Sequence, residues 1–387
     1  MQIEELITYI NQTTDDQHSS IHSIKSLQKK LPQATNEELT LIVEQVKLRI
    51  KASHKFQHAD KMIFTGKSLE QCSSESISNF TASLFYKPKN ILEICSGIGG
   101  NSIGLSKNCK NLTCIDSSPL FQLIHQHNMS NYQLDNISRL TKPVERNDSK
   151  DYDCIFIDPD RRNNGKRLSN PNDLSPHLDL INQITSTADQ TMIKMSPMLS
   201  KEDTPENYSV NYIAEGMELK QCLWLGKQLK TNTPDFSIIA NNKTITSNDL
   251  IPSNTDPKHS HTGIFEFNPA ISKSWKLDEI ANHYNKESLN FKTNHFIGEV
   301  EDLYPLANCW KILEELPYHP KKINQLLKNY GASRYEFKCF GLDNNEINKF
   351  FQKWGSGKGN ATTIFIFKLK DYKKVFIADR YLKDSNA

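Results

Sequence analysis

The sequence predicts an α/β protein built on a mainly parallel sheet, with a helical region before it and α+β modules after it. Three observations predict this class. Short apolar runs at 91–95, 112–116, 154–158 and 191–195 are separated by helix-length segments, the alternation that parallel strands joined by crossover helices require. The first sixty residues carry helical rather than strand spacing. Beyond Asn241 the chain turns polar and turn-rich before shorter strand and helix patterns resume.

In chain order, residues 1–60 read as an N-terminal helical region. Thr35-x-x-Glu38 is a capping box, and Leu39, Ile42, Val43, Val46 and Ile50 follow at helical spacing, so that face is expected to be buried. Ser73-Ser74-Glu75 starts another helix with Ile77, Phe80 and Leu84 on one face, and Lys87-Pro88 stops it. The four strands follow. Further strands are expected at 212–214 and 236–240 with a helix at 218–227 between them, giving a sheet of six or more strands within a domain spanning 61–246. Gly263-Ile264-Phe265-Glu266-Phe267 then opens a small module at 258–302. Residues 303–387 read as an α+β domain, with helices at 320–329 and 344–354 and strands at 333–340, 362–368 and 374–377.

A chain of 387 residues is too long for one ordinary core, which agrees with several domains. Its 37% hydrophobic and 24% charged residues exclude a disordered chain, although the mean hydropathy of −0.60 is on the polar side. The start, Met1-Gln2-Ile3-Glu4-Glu5, lacks the pattern of a signal peptide, and no apolar run is long enough to span a membrane, so a cytoplasmic protein is expected. The eight cysteines include no Cys-x-x-Cys pair and are expected to be reduced and structural. Net charge is +2, yet residues 305–387 hold 15 Lys/Arg against 8 Asp/Glu. Such a basic terminal module suits a polyanion such as RNA, or is a solvated lysine-rich face.

The most informative stretch is Ile91-Leu92-Glu93-Ile94-Cys95-Ser96-Gly97-Ile98-Gly99-Gly100-Asn101-Ser102, a strand running into glycines and then a helix. Glycines at 97, 99 and 100 let the backbone turn tightly and approach a ligand, and the helix that follows presents unpaired N–H groups. Asp116 ends the next strand 19 residues after Gly97, where a carboxylate can accept both ribose hydroxyls of an adenosine ligand. A dinucleotide-binding loop shares these features, but Ser102 stands where that motif has its third glycine. Glu93-x-x-x-Gly97-x-Gly99 resembles motif I of the class I S-adenosylmethionine-dependent methyltransferases, whose sheet is Rossmann-like. The resemblance implies S-adenosylmethionine as cofactor, with Glu93, Cys95, Ser96, Gly97, Gly99, Gly100, Asp116 and Ser117 as its candidate ligands.

A second constellation, Asp158-Pro159-Asp160-Arg161-Arg162, ends the fourth expected strand, the place where open α/β sheets bind ligands. It resembles motif IV of methyltransferases acting on nucleic acids, with Asp160 in place of a second proline and Arg161 in place of an aromatic. These five are the candidate catalytic residues. Asp158 is the candidate acceptor for a substrate proton, and the arginines are candidate clamps for phosphate or stacking partners for a base. Merely ending a strand is the other reading. Enzymes that methylate carbon 5 of uracil carry a related Asp-Pro-Pro-Arg and a cysteine after the fifth strand. Here Ile193-Lys194-Met195-Ser196-Pro197 stands there instead, so direct transfer to a nitrogen or oxygen is expected.

Leu69-Glu70-Gln71-Cys72-Ser73-Ser74-Glu75 and residues 193–199 extend the likeness. Together with Asp-Pro-x-Arg-Arg they resemble a bacterial methyltransferase family with a helical N-terminal region, a Rossmann-like domain, a small ferredoxin-like unit and a THUMP-like C-terminal domain. That resemblance covers nearly the whole chain and implies an RNA substrate held by the C-terminal domain. Gln71, Ser73, Ser74 and Glu75 are either a helix cap or a lid, and Lys194 is either a snorkelling edge residue or a charge near the target. Trp310, Tyr318, Tyr330 and Trp354, interleaved with lysines, are core aromatics or a stacking surface. His54, His58, His125 and His127 lack the partners of a metal site, and no metal is expected. The alternatives are a non-catalytic RNA-binding protein that keeps the cofactor fold, and a methyltransferase acting on DNA, protein or a small molecule.

Overall fold

The computed structural model describes residues 24–387 apart from 161, 164–165, 168–173, 200, 232, 251–260, 290–292, 331–333, 343–347, 349–360, 369–371 and 382–387. The chain divides into two compact units, Met1–Val210 with Gln221–Thr233 and Asn211–Lys220 with Pro234–Ala387.

The first unit begins with helices α1 (Ile24–Lys30), α2 (Asn36–Ala52), α3 (Gly66–Gln71) and α4 (Glu75–Ser83). Then β1 (Asn90–Ile94), α5 (Ser102–Asn108), β2 (Asn111–Asp116), α6 (Pro119–Ser130), β3 (Ile137–Thr141) and β4 (Cys154–Ile157) alternate as the sequence predicts. Two short strands, β5 (Arg162–Asn163) and β6 (Lys166–Arg167), lead to α7 (Leu178–Thr185) and β7 (Gln190–Met195). Strands β8 (Tyr208–Glu215) and β9 (Glu218–Lys227) follow. Within the first unit the strand order is β9-β7-β4-β1-β2-β3. Ile91 stands beside Leu112 on one side and Cys154 on the other, all parallel. Every residue of β4 and β7 is buried, as strands covered on both faces must be.

Two expectations need correction. Residues 218–227 form no helix. They are strand β9, antiparallel to β7, with Gln190 opposite Lys227 and Met195 opposite Cys222. Six consecutive residues, 221–226, are buried, more than one helical face can bury in a row. The buried face of α2 is also rotated from the expected one. Leu39, Ile42, Leu48 and Ala52 face inward, and so do Gln45 and Arg49, while Ile50 is 71% exposed. Gln45 bonds both the N–H and the carbonyl of Phe64, and Arg49 donates to the carbonyl of Met62. Long polar side chains are buried there because backbone groups satisfy them.

The second unit holds β10 (Phe236–Ala240), parallel to β8 and antiparallel to β11 (Lys243–Thr246). Then come β12 (Gly263–Phe267), α8 (Pro269–Lys273), α9 (Leu277–His283), β13 (Glu287–Ser288), β14 (His295–Gly298), β15 (Ala307–Pro317), α10 (Pro320–Tyr330), β16 (Arg334–Phe340), β17 (Ala361–Lys368) and β18 (Lys373–Tyr381). Strands from 258–302 and from 303–387 join one seven-stranded sheet, ordered β13-β14-β12-β15-β18-β17-β16. Ile323 and Leu327 of α10 pack on Ile364, Ile366, Val375 and Ile377. Trp310, Phe365, Phe367 and Phe376 form a separate cluster, so Trp310 is a core aromatic. The helix expected at 344–354 and Trp354 lie outside the described residues, apart from the single helical position 348. No described helix is long and apolar enough to cross a membrane.

Candidate functional site

After β1 the backbone turns through positive φ at Cys95 (61°), Gly97 (54°) and Gly99 (95°). The glycines divide the work. A Cβ on Gly97 would meet nothing within 4 Å, whereas one on Gly100 would lie 3.0 Å from Cys72 Cβ and 3.2 Å from the Ser73 carbonyl oxygen. Gly100 therefore lets the 72–73 segment pack on the loop, and Gly97 leaves room for a ligand. Asp116 ends β2 and is half-buried. Its Oδ2 accepts the Gly97 N–H at 2.9 Å and its Oδ1 the Ser118 N–H at 2.8 Å. Each oxygen keeps a second lone pair. Ser117 beside it is exposed. Asn128 of α6 bonds both backbone groups of Ile63 and donates to the Ile98 carbonyl, fixing the loop to the N-terminal segment.

Behind the loop lies a buried polar chain. Arg139 Nε donates to His125 Nδ1 at 2.9 Å, His125 Nε2 meets Ser102 Oγ at 2.8 Å, and Ser102 donates to Glu93 Oε2 at 2.5 Å. Because Nδ1 accepts from arginine, the ring proton sits on Nε2. Cys114 also points its thiol at Glu93 Oε2. Burial pushes the Glu93 carboxyl up to about 7 and the Cys114 thiol well up. Burial, with the Arg139 charge, pushes His125 down to about 3. Glu93, Cys114 and His125 place their ligand atoms within 4.8 Å of one another. That donor set does not suit a metal, because a metal-bound histidine needs its other nitrogen to donate to an acceptor, and here a cation donates to it.

Asp158 follows β4 and its backbone N–H bonds the Ile94 carbonyl. Lys194 of β7 reaches its Oδ2 at 2.7 Å, and Asn101 Nδ2 donates to the same oxygen at 3.3 Å. Lys194 is therefore no edge residue but a buried charge paired with Asp158. Pro159 is buried, whereas Asp160 is exposed, bridged to Ser175 and 3.7 Å from Lys67 Nζ. Arg161 lies outside the described residues. Arg162 begins β5, with its side chain also outside them. Ser74 caps α4, and Ser73 Oγ donates to Gln221 Oε1. Glu75 bonds the Gln57 N–H, Lys107 and Tyr132, which hold its carboxyl below the usual range.

The glycine loop is thus tied to Asp116 through the Gly97 N–H and to Asp158 through Asn101. Reasoning from sequence missed Asn101, Ser102, Asn128 and Arg139 and did not settle Lys194. Asn101 and Ser102 directly follow the glycines and had a signal, whereas Arg139 sits on β3, a polar strand with no apolar run. Two polar atoms of the loop, Ser96 Oγ and Asn101 Oδ1, are buried without a partner among the described residues. Orphaned buried polar atoms call for partners, and the ammonium group of S-adenosylmethionine supplies donors. With a half-buried carboxylate at Asp116 that keeps free lone pairs and open space at Gly97, the residue types present fit that cofactor.

No family model and no curated protein matches the chain. Among solved structures it is similar to a protein of Porphyromonas gingivalis W83 assigned as a methyltransferase, with a TM-score of 0.72 and 17% identity over 99% of this chain and 100% of that one. Over 43% of its length it aligns with an rRNA methylase of Streptococcus thermophilus (98% of that chain, 12% identity, TM-score 0.29). Over 40% it aligns with the magnesium protoporphyrin IX methyltransferase of Synechocystis PCC 6803 (79% of that chain, 11% identity, TM-score 0.31). The sheet order β3-β2-β1-β4-β7 and the full-length likeness give the chain the fold of the class I S-adenosylmethionine-dependent methyltransferases.

Proposed function

We propose that the chain is an S-adenosylmethionine-dependent methyltransferase that modifies a nitrogen, or an oxygen, on a nucleobase of RNA. The observation that carries the reading is Asp158, a half-buried carboxylate at the C-terminal end of β4, hydrogen-bonded at 3.3 Å to the residue that closes the glycine loop. When bound, the cofactor supplies a methyl group already activated on a sulfonium. The chain's task is alignment. The glycine loop, Asp116 and the unpartnered polar atoms hold the donor side, and Asp158 accepts a hydrogen bond, and then the proton, from the nitrogen or oxygen of the base. The basic segment 305–387, where Lys311, Lys321 and Lys322 are exposed, supports a polyanionic substrate.

The test incubates the protein with radiolabelled S-adenosylmethionine and separated RNA, DNA and protein, with Asp158→Ala in parallel. Label is expected in RNA and lost in the variant. Label confined to protein or DNA would reassign the substrate, and no label anywhere, despite measurable cofactor binding, would leave a binding protein with a methyltransferase fold.

A further inference from the structure

Asp158 receives two donors on one oxygen. Lys194 Nζ and Asn101 Nδ2 both reach Oδ2, at 2.7 and 3.3 Å. Oδ1 has no hydrogen-bond partner among the described residues and is absent from the buried unpartnered atoms, so it is accessible to solvent. Lys194 rises from β7, flanked by β4 and β9, with its side chain only 5% exposed and its ammonium also 3.5 Å from the Gln71 carbonyl. Asn101 comes from the end of the glycine loop, so two elements converge on the carboxylate of a third.

The carboxylate torsion of an aspartate is broad and roughly two-fold. One donor leaves it free to swing, whereas two donors from different elements fix its plane, and an ammonium adds the strength of a charge-assisted bond. We infer that Lys194 and Asn101 are positioning residues that turn Asp158 so that Oδ1 alone meets the acceptor's N–H. This rests on the methyltransferase reading above and deepens it. Lys194 also offsets the carboxylate's charge, so a polyanionic substrate meets a pair without net charge rather than a bare anion. A group offering one hydrogen-bond acceptor suits an amino or ring N–H of a base.

The test compares wild type with Lys194→Met, Lys194→Arg and Asn101→Ala in the full-length chain. Lys194→Met is expected to lower kcat on RNA by ~10²-fold, the effect of a misplaced catalytic group, with cofactor affinity by calorimetry and thermal midpoint nearly unchanged. Lys194→Arg is expected to recover about tenfold, since it restores the charge-assisted bond, and Asn101→Ala to cost less than Lys194→Met. In protein carrying 13C at aspartate carboxyls, the Asp158 resonance, assigned with Asp158→Asn, is expected to move in Lys194→Met. An unchanged kcat, or a loss of kcat in step with cofactor affinity and thermal midpoint that arginine does not rescue, would overturn the inference. If wild type labels no RNA, the proposed reaction fails, and the carboxyl resonance decides the positioning separately: moved, the pair stands, and unmoved, it falls.

Discussion

At the scale of residues, the buried chain from Arg139 to Glu93 gives a pH signature with opposing parts. Glu93 is pushed from the usual 4.5 up to about 7. Its contribution to stability is therefore full below pH 4.5 and lost as pH rises through 7, by up to about 3 kcal/mol, because the unfolded chain releases that proton first. His125 is pushed from 6.5 down to about 3, so its contribution is full above 6.5 and falls as pH drops toward 3. The two oppose each other between pH 4.5 and 6.5. Glu93→Gln removes only the first, so the variant's stability relative to wild type is expected to climb from pH 4.5 to 7 in urea midpoints. A flat difference would mean that Glu93 does not keep its proton when the chain folds. Asp116→Ala is expected to weaken S-adenosylmethionine binding by ~10²-fold, about the cost of removing a charged acceptor for two hydroxyls. Unchanged affinity in calorimetry would remove Asp116 from the cofactor site. The place of Asp116 at the end of β2 was legible because an apolar run of strand length stops there. The Arg139–His125–Ser102–Glu93 chain was not, since its members come from four elements whose packing no local pattern encodes.

At the scale of elements, α4 and α5 approach so closely that a Cβ on Gly104 would sit 2.3 Å from the Ser78 backbone oxygen. Ser78 Oγ accepts the Gly104 N–H and donates to the Asn101 carbonyl. Gly104→Ala is therefore expected to destabilise the fold by at least the ~1–3 kcal/mol of ordinary overpacking, and to loosen the loop above it. Urea unfolding measures the first and cofactor affinity the second. A variant as stable as wild type would mean that the two helices can separate freely. Strands β1, β2, β4 and β7 were legible as apolar runs of strand length, and α4 by its Ser74 cap. Strand β9 was misread because a ten-residue segment between two strands fits a crossover helix by length. Its continuous burial beside β7 is visible only once the sheet is assembled.

At the scale of the whole molecule, the charge asymmetry yields a prediction tied to the RNA reading. Lys321→Glu with Lys322→Glu, both exposed on α10, is expected to weaken RNA binding at low salt and to flatten the slope of log affinity against log salt by about 1 for each phosphate left without its lysine. Equal slopes in variant and wild type would place the polyanion elsewhere. Whole-chain architecture was only partly legible. The α/β order followed from alternation, but the shared seven-stranded sheet did not, because its long strand β15 pairs residues 40 to 48 positions from β12 and 57 to 72 from β18, and pairing across such distances leaves no mark in a local window.

Asn101 carries one further consequence. Its amide nitrogen holds Asp158, and its amide oxygen is buried and unpartnered among the described residues. A ligand bonded to that oxygen restrains the same planar group whose other end orients the carboxylate, so occupancy on one side is felt on the other. Thermodynamic reciprocity then requires that whatever factor a ligand at that oxygen imposes on binding at Asp158 is returned to it in full. A single asparagine in this way couples the two sides of the site through its amide, with neither ligand favoured to bind first.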